Sequence, residues 1–293
     1  MEDEKKTRGE SNIKVLLSGK MPAVDPSGKP LRIAFWELFT QQGYSESTWR
    51  ELLREHISNE AYLKQFRDSK KTTQIDRLSR LMTALTGGSS ADFPADLTWK
   101  RFIEGLAVMQ MEHLTITIDA KRGNFGSKAW VQDGTWVRPD FLKNLRDENR
   151  RKRKEKFDSS ASRDVNRYIE DAVHTYTHVM KHPLLRLIYR FMAAYKITPA
   201  NWERWSTNYV NNPKLCPGTS SKRGDRRNNM KQALRHTEAI TWRWFLIILQ
   251  AMDIREFEIT FKIRHGNGLS YEATQKVDLT TYRFWSSNET EQP

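Results

Sequence analysis

LTWKRFIEGLAVMQMEHLTITIDAKRGNFGS, residues 97–127, and ITWRWFLIILQAMDIREFEITFKIRHGNGLS, residues 240–270, align without a gap at a constant offset of 143. Ten of the 31 positions are identical: Thr98/Thr241, Trp99/Trp242, Phe102/Phe245, Leu106/Leu249, Met109/Met252, Ile116/Ile259, Thr117/Thr260, Gly123/Gly266, Asn124/Asn267 and Ser127/Ser270. Unrelated stretches of this length share roughly two, so the match predicts an internal duplication.

The patterning of the two copies agrees with that reading. Phe102, Leu106 and Met109, like Phe245, Leu249 and Met252, recur at spacings of four and three and fall on one helix face. The period then drops to two over 114–118 and 257–261, where β-branched and aromatic residues dominate, which predicts a strand in each copy. Lys121, Arg122, Gly123 and Asn124 follow in the first copy, and Arg264, His265, Gly266 and Asn267 in the second, before another extended run. Gly and Asn are the residues that most readily take positive φ, so each unit reads as helix, strand, basic turn, strand. The Arg122 guanidinium is expected to project from a tip with few neighbours.

Working outward, residues 1–29 mix charge with Gly, Pro and Ser and read as a mobile arm. Leu31, Ala34, Phe35, Leu38 and Phe39 predict a helix that Gly43 stops, and Ser45 with Thr48 opens a second one carrying Trp49, a helix-turn-helix pair. Further helices are expected over 60–67 and 72–85, and Asp96 is expected to cap the repeated helix. Shifted by 153, Trp49 meets Trp202 and Pro30 meets Pro183, so the duplication extends back over helices at 184–195 and 199–211, followed by one long helix over 226–252. Another helix is expected over 159–180. The expected organisation is an arm (1–29), repeat domain 1 (30–142), a basic linker (143–158) and repeat domain 2 (159–293). The fold class is mainly α with two small β-hairpins, α+β, as two tandem winged-helix-like domains.

Charge narrows the function. The chain carries 49 Lys plus Arg against 36 Asp plus Glu, a net +13 with a pI near 9.7, so an anionic partner is expected. The cations cluster at 143–156, which holds Arg150, Arg151, Lys152, Arg153 and Lys154, and at 222–231, which holds Lys222, Arg223, Arg226 and Arg227. With Lys121, Arg122, Asn124, Lys128, Arg264, His265 and Asn267 at the hairpins, these are the candidate nucleic-acid contacts. Ten Trp offer stacking surfaces; Trp49, Trp99, Trp202 and Trp242 sit in apolar helical patterns and read as core, leaving Trp130 and Trp136 as the exposed candidates.

No catalytic set emerges. There is no phosphate-binding glycine loop, Cys216 has no His partner, and Glu256, Glu258 and Lys262 form only a loose carboxylate–lysine group absent from the first copy. His174, His178 and His182 share a helix face but lack the HExxH form and a further ligand, so neither metal nor cofactor is expected. A single cysteine and an N-terminus without an apolar segment predict a cytoplasmic protein with no membrane association. The sequence therefore reads as a non-enzymatic protein that binds nucleic acid, duplex DNA foremost. An assembly or virion component with self-association or protein partners, and an RNA-binding protein, are the alternatives.

Overall fold

The computed structural model describes residues 29–58, 81–85, 97–123, 128–138, 182–235 and 240–285. In chain order the elements are α1 (Pro30–Gln41), α2 (Glu46–Ser58), α3 (Trp99–Val108), β1 (Met111–Arg122), β2 (Lys128–Trp136), α4 (Pro183–Ala194), α5 (Pro199–Asn211), α6 (Ser220–Arg235), α7 (Trp242–Ala251), β3 (Ile254–His265) and β4 (Ser270–Asp278). The class is α+β, with one four-stranded antiparallel sheet in the order β2-β1-β3-β4. Both runs of alternating residues, 114–118 and 257–261, are strands.

The described residues form two compact units, and neither is a continuous stretch of chain. The first unit takes α1, α2 and α3 with residues 111–115 of β1, 134–136 of β2, 260–265 of β3 and 270–275 of β4. The second takes α4 to α7 with residues 116–122 of β1, 128–133 of β2, 254–259 of β3 and 276–278 of β4. Each unit thus combines the helices of one half of the chain with the hairpin tip of the other half. The expected domain limits at 142, 143, 158 and 159 lie outside the described residues, as does the helix expected over 159–180.

In the first unit α1 begins on Pro30 and buries Leu31, Ala34, Phe35, Leu38 and Phe39. Gly43 ends it at φ +61, where a side chain would be strained, and Ser45 Oγ accepts from Thr48 N at 3.2 Å to open α2. Trp49, fully buried, meets Phe39 edge-on at 4.9 Å between ring centroids. Thr98, not Asp96, caps α3: the helix starts at Trp99, and Thr98, with extended backbone, accepts from Arg101 N at 3.3 Å; Asp96 lies outside the described residues. Phe102 of α3 packs on Phe261 of β3, 5.0 Å between centroids. Two polar contacts seat β4 on α1: Gln41 Nε2 donates to Glu272 O and Gln275 Nε2 to Glu37 Oε2, both at 2.8 Å.

The second unit is held by its own set of contacts. Lys196 leaves α4 at φ +52 and Thr198 caps α5, accepting from Asn201 N at 3.2 Å. Phe245 of α7 meets Phe257 of β3 edge-on at 6.5 Å. Tyr195 OH donates to Ala120 O at 2.6 Å, and Asp133 of β2 accepts from Arg186 at 2.8 Å with Arg190 at 3.6 Å. The long helix expected over 226–252 is instead two, α6 and α7. Residues 236–239 lie outside the described set, and the Thr241 hydroxyl, accepting from Trp244 N at 3.2 Å, starts a fresh helix at Trp242.

Along the strands one face is buried and the other open. Leu114, Ile116, Ile118 and Ala120 of β1 and Phe257, Ile259, Phe261 and Ile263 of β3 are buried. Trp49, Trp99, Trp202 and Trp242 are core residues, while Trp130 and Trp136 are 62% and 50% exposed. No helix among the described residues is long and apolar enough to cross a membrane.

Candidate nucleic-acid interface

Among the described residues the most cationic element is α6, SSKRGDRRNNMKQALR. Arg226, Met230 and Leu234 recur every four residues and are buried, so a guanidinium opens the helix's inner stripe. A charge buried there needs partners. Arg226 Nη1 donates to Pro217 O at 2.5 Å, and the guanidinium lies 4.5 Å from the Trp285 ring centre. Outside that stripe Lys222 is exposed and Arg223 half-buried. Further along, Glu203 of α5 takes both Arg227, at 3.5 Å, and Lys231, at 2.9 Å.

The segment after β4 completes the surface. Asp278 closes a turn by accepting from Thr280 N at 2.9 Å, and Gln250 Nε2 of α7 donates to Leu279 O at 2.6 Å. Trp285 is thereby set against three side chains: Arg226, Arg243 at 5.0 Å, and Trp244, edge-on at 5.8 Å. Arg243 donates to Phe284 O, and Arg283 donates to Thr280 O at 2.7 Å and Tyr282 O at 3.0 Å. Carbonyl oxygens accept these bonds without cancelling the charge, and an aromatic face adds attraction while leaving the cation a cation. Arg226, buried, thus anchors Trp285, and around that anchor Arg243, Arg283, Lys222 and Arg223 supply exposed or half-buried cations, with the carboxylates of Asp225 and Asp278 nearby in sequence. Such a surface binds phosphate through guanidinium and ammonium groups and offers indole faces to a ring.

Cys216 lies beneath this surface, buried. Desolvation pushes its thiol up to about 11, partly opposed by Arg226, so it is a protonated packing group and no nucleophile. His182, just ahead of α4, has its pKa driven down to about 3 by burial and by Arg186, and is neutral. His174 and His178 lie outside the described residues. Among the described residues no three His, Cys, Asp or Glu side chains gather as a metal site.

The other sequence candidates are scattered. Arg122 does not stand clear at its tip: its guanidinium lies 3.9 Å from the Trp205 ring centre and 5.8 Å from that of Tyr195. Lys121 beside it is half-buried, and exposed Lys128 has Nζ 3.5 Å from Asp119. In the first unit Arg264 is exposed, while His265 and Asn267 close the turn: His265 Nδ1 accepts from Asn267 N at 3.2 Å and Asn267 Oδ1 from Leu269 N at 3.0 Å. Asn124 and Arg150 to Lys154 lie outside the described residues. Arg243, Arg283 and Trp285 were not legible as candidates. The signal available for them is the alternation of cation and aromatic in Trp242-Arg-Trp-Phe and Tyr282-Arg-Phe-Trp.

No known protein family, curated protein or solved structure matches the chain.

Proposed function

We propose that this chain is a non-enzymatic DNA-binding protein built from a duplicated, winged-helix-like module, and that it contacts duplex DNA through α6 and the segment around Trp285. Several pairs of positions support the duplication. Thr98 and Thr241 both cap helices, and Gln110 and Asp253, offset by the same 143, both take positive φ, +58 and +61. At the offset of 153, Gly43 and Lys196 are both left-handed, Ser45 and Thr198 both cap, and Trp49 and Trp202 are both buried. The contacts that seat each hairpin on a first helix are also alike: Glu37 and Arg190 share the offset of 153, and their partners Gln275 and Asp133 stand 142 apart, the connection from β3 to β4 being one residue shorter than that from β1 to β2.

The observation that carries the DNA reading is the stack of Arg226, Trp285 and Arg243, with Lys222 and Arg223 one turn earlier on α6. Its cations outnumber its carboxylates, as a polyanion requires. The first hairpin tip is a weaker contact surface, since Arg122 is half-buried between Trp205 and Tyr195.

Fluorescence anisotropy with a labelled duplex at several salt concentrations tests the proposal. Neutralising about five phosphates gives a slope of log K against log salt near −4 or −5. The Lys222→Ala/Arg223→Ala double variant is expected to weaken binding and flatten that slope by about two. Arg122→Ala is expected to leave the slope alone and lower the melting temperature, because it loses about 1 kcal/mol of cation–aromatic contact. A wild-type slope near zero, or a double variant that binds as wild type does, overturns the assignment.

A further inference from the structure

We propose that the open sheet face of the first unit binds an unpaired DNA strand, with Trp136 as the stacking platform and Lys262 and Arg264 as phosphate contacts. This rests on the DNA reading above and adds to it a second, single-stranded ligand at a separate surface.

Trp136 is half exposed on the edge strand β2, where burying its indole against water-exposed sheet gains nothing and a flat aromatic ligand gains much. The ring is not loose: His113 of β1 meets it edge-to-face, 5.3 Å between centroids at 84°, which leaves indole surface free while restricting its rotation. A preorganised aromatic of this kind is what base stacking needs, and stacking tolerates any base because every base has a π-face.

The cations stand on the same open face. β3 neighbours β1, and Lys262 and Arg264 are exposed with no ion pair among the described residues. With strands about 4.8 Å apart, β2 and β3 are separated by about 10 Å, so a base on Trp136 and its flanking phosphates fall within reach of both cations. Thr115 of β1 supplies a neutral hydrogen-bonding group between them, and the Thr260/Thr274 pair, whose hydroxyls are 2.9 Å apart, adds others across β3 and β4. The acids of this stretch, Glu112 and Glu272, pair with neither cation; Glu112 instead leans on Gly266. Trp130, on the same strand but in the second unit, provides the contrast: the cation nearest it in sequence, Lys128, is spent on Asp119.

The experiment compares a labelled twelve-residue oligothymidylate, a duplex and a twelve-residue oligouridylate by anisotropy, using the full chain. Trp136→Ala is expected to weaken oligothymidylate binding by about ten-fold while leaving duplex binding within two-fold, with Trp136→Phe recovering most of the loss. Lys262→Ala/Arg264→Ala is expected to weaken the same ligand and flatten its salt dependence by about two, and Trp130→Ala to change neither. Because Trp136 is exposed, its variants are expected to melt as wild type does. Absent oligothymidylate binding, or binding that ignores Trp136, overturns this proposal while duplex binding sensitive to Lys222 and Arg223 preserves the earlier one. Tighter binding of oligouridylate, or a wild-type dimer that Trp136→Ala converts to monomer on a sizing column, also overturns it, assigning the face to RNA or to a second copy.

Discussion

Glu104 is a carboxylate almost wholly inside the first unit, held by Arg101 Nη1 at 2.5 Å and by His56 Nε2 at 3.8 Å. Burial pushes its pKa up, but the neighbouring His56 ring and the Arg101 guanidinium outweigh it, and the net shift is downward from 4.5. A carboxyl whose folded pKa lies below its unfolded value stabilises the fold fully above the unfolded pKa and loses that contribution as pH falls through the folded one. Glu104→Gln is therefore expected to cost about 1–2 kcal/mol at neutral pH, by removing the charge with which the partly exposed Arg101 guanidinium pairs. The gap between variant and wild type is expected to narrow below about pH 4.5. Thermal melts of both proteins across that range check this, and a gap independent of pH would contradict it. The residue aligned with Glu104 at the offset of 143 is Ile247, buried and apolar.

At the scale of elements, α3 and α7 show how far local chemistry reaches. Each starts on a threonine whose hydroxyl takes the orphan N–H three residues on, and each hands over to its strand through one left-handed residue. Thr98→Ala and Thr241→Ala are each expected to lower stability by about 1 kcal/mol, and the double variant by about the sum, since the caps share no partner. Chemical denaturation measures both, and one silent cap would mean that the two helices are not held alike. The apolar spacing of α3 and α7 was readable directly. The break between α6 and α7 was not, because the apolar run over 244–249 continues the helical pattern of 226–235 and nothing local announces a new start except Thr241. Nor was the end of α4: its left-handed residue is Lys196, whereas α1 advertises its end with Gly43.

For the whole molecule, the decisive fact is the membership of the two units. The first unit's helices are completed by residues 260–275, and the second unit's by residues 116–133. A fragment ending before residue 159 keeps α1, α2 and α3 yet lacks Phe261, Ile263 and Ala273, all buried. Burying a large side chain stabilises by about 1.5–3 kcal/mol, and a domain has only about 5–15 kcal/mol in total. The fragment 1–158 is expected to melt without a cooperative transition, and co-expression with 159–293 to restore one. A sharp, native-like melt of the isolated fragment would show that the helices need no second hairpin.

What the amino-acid sequence determined by itself is everything that depends on near neighbours along the chain. Two periods, 3.6 and 2, placed the repeated helices and strands, and the apolar settings of Trp49, Trp99, Trp202 and Trp242 marked them as core while leaving Trp130 and Trp136 outside it. Tertiary structure alone decided which tip meets which helices, because β1 and β3 pair across more than 130 residues of chain and no local pattern encodes a partner so distant. It also decided which cations remain available. Arg227 and Lys231 look as free in sequence as Arg264, but Glu203, brought close only by folding, pairs with both, and Arg122 is half-buried against Trp205.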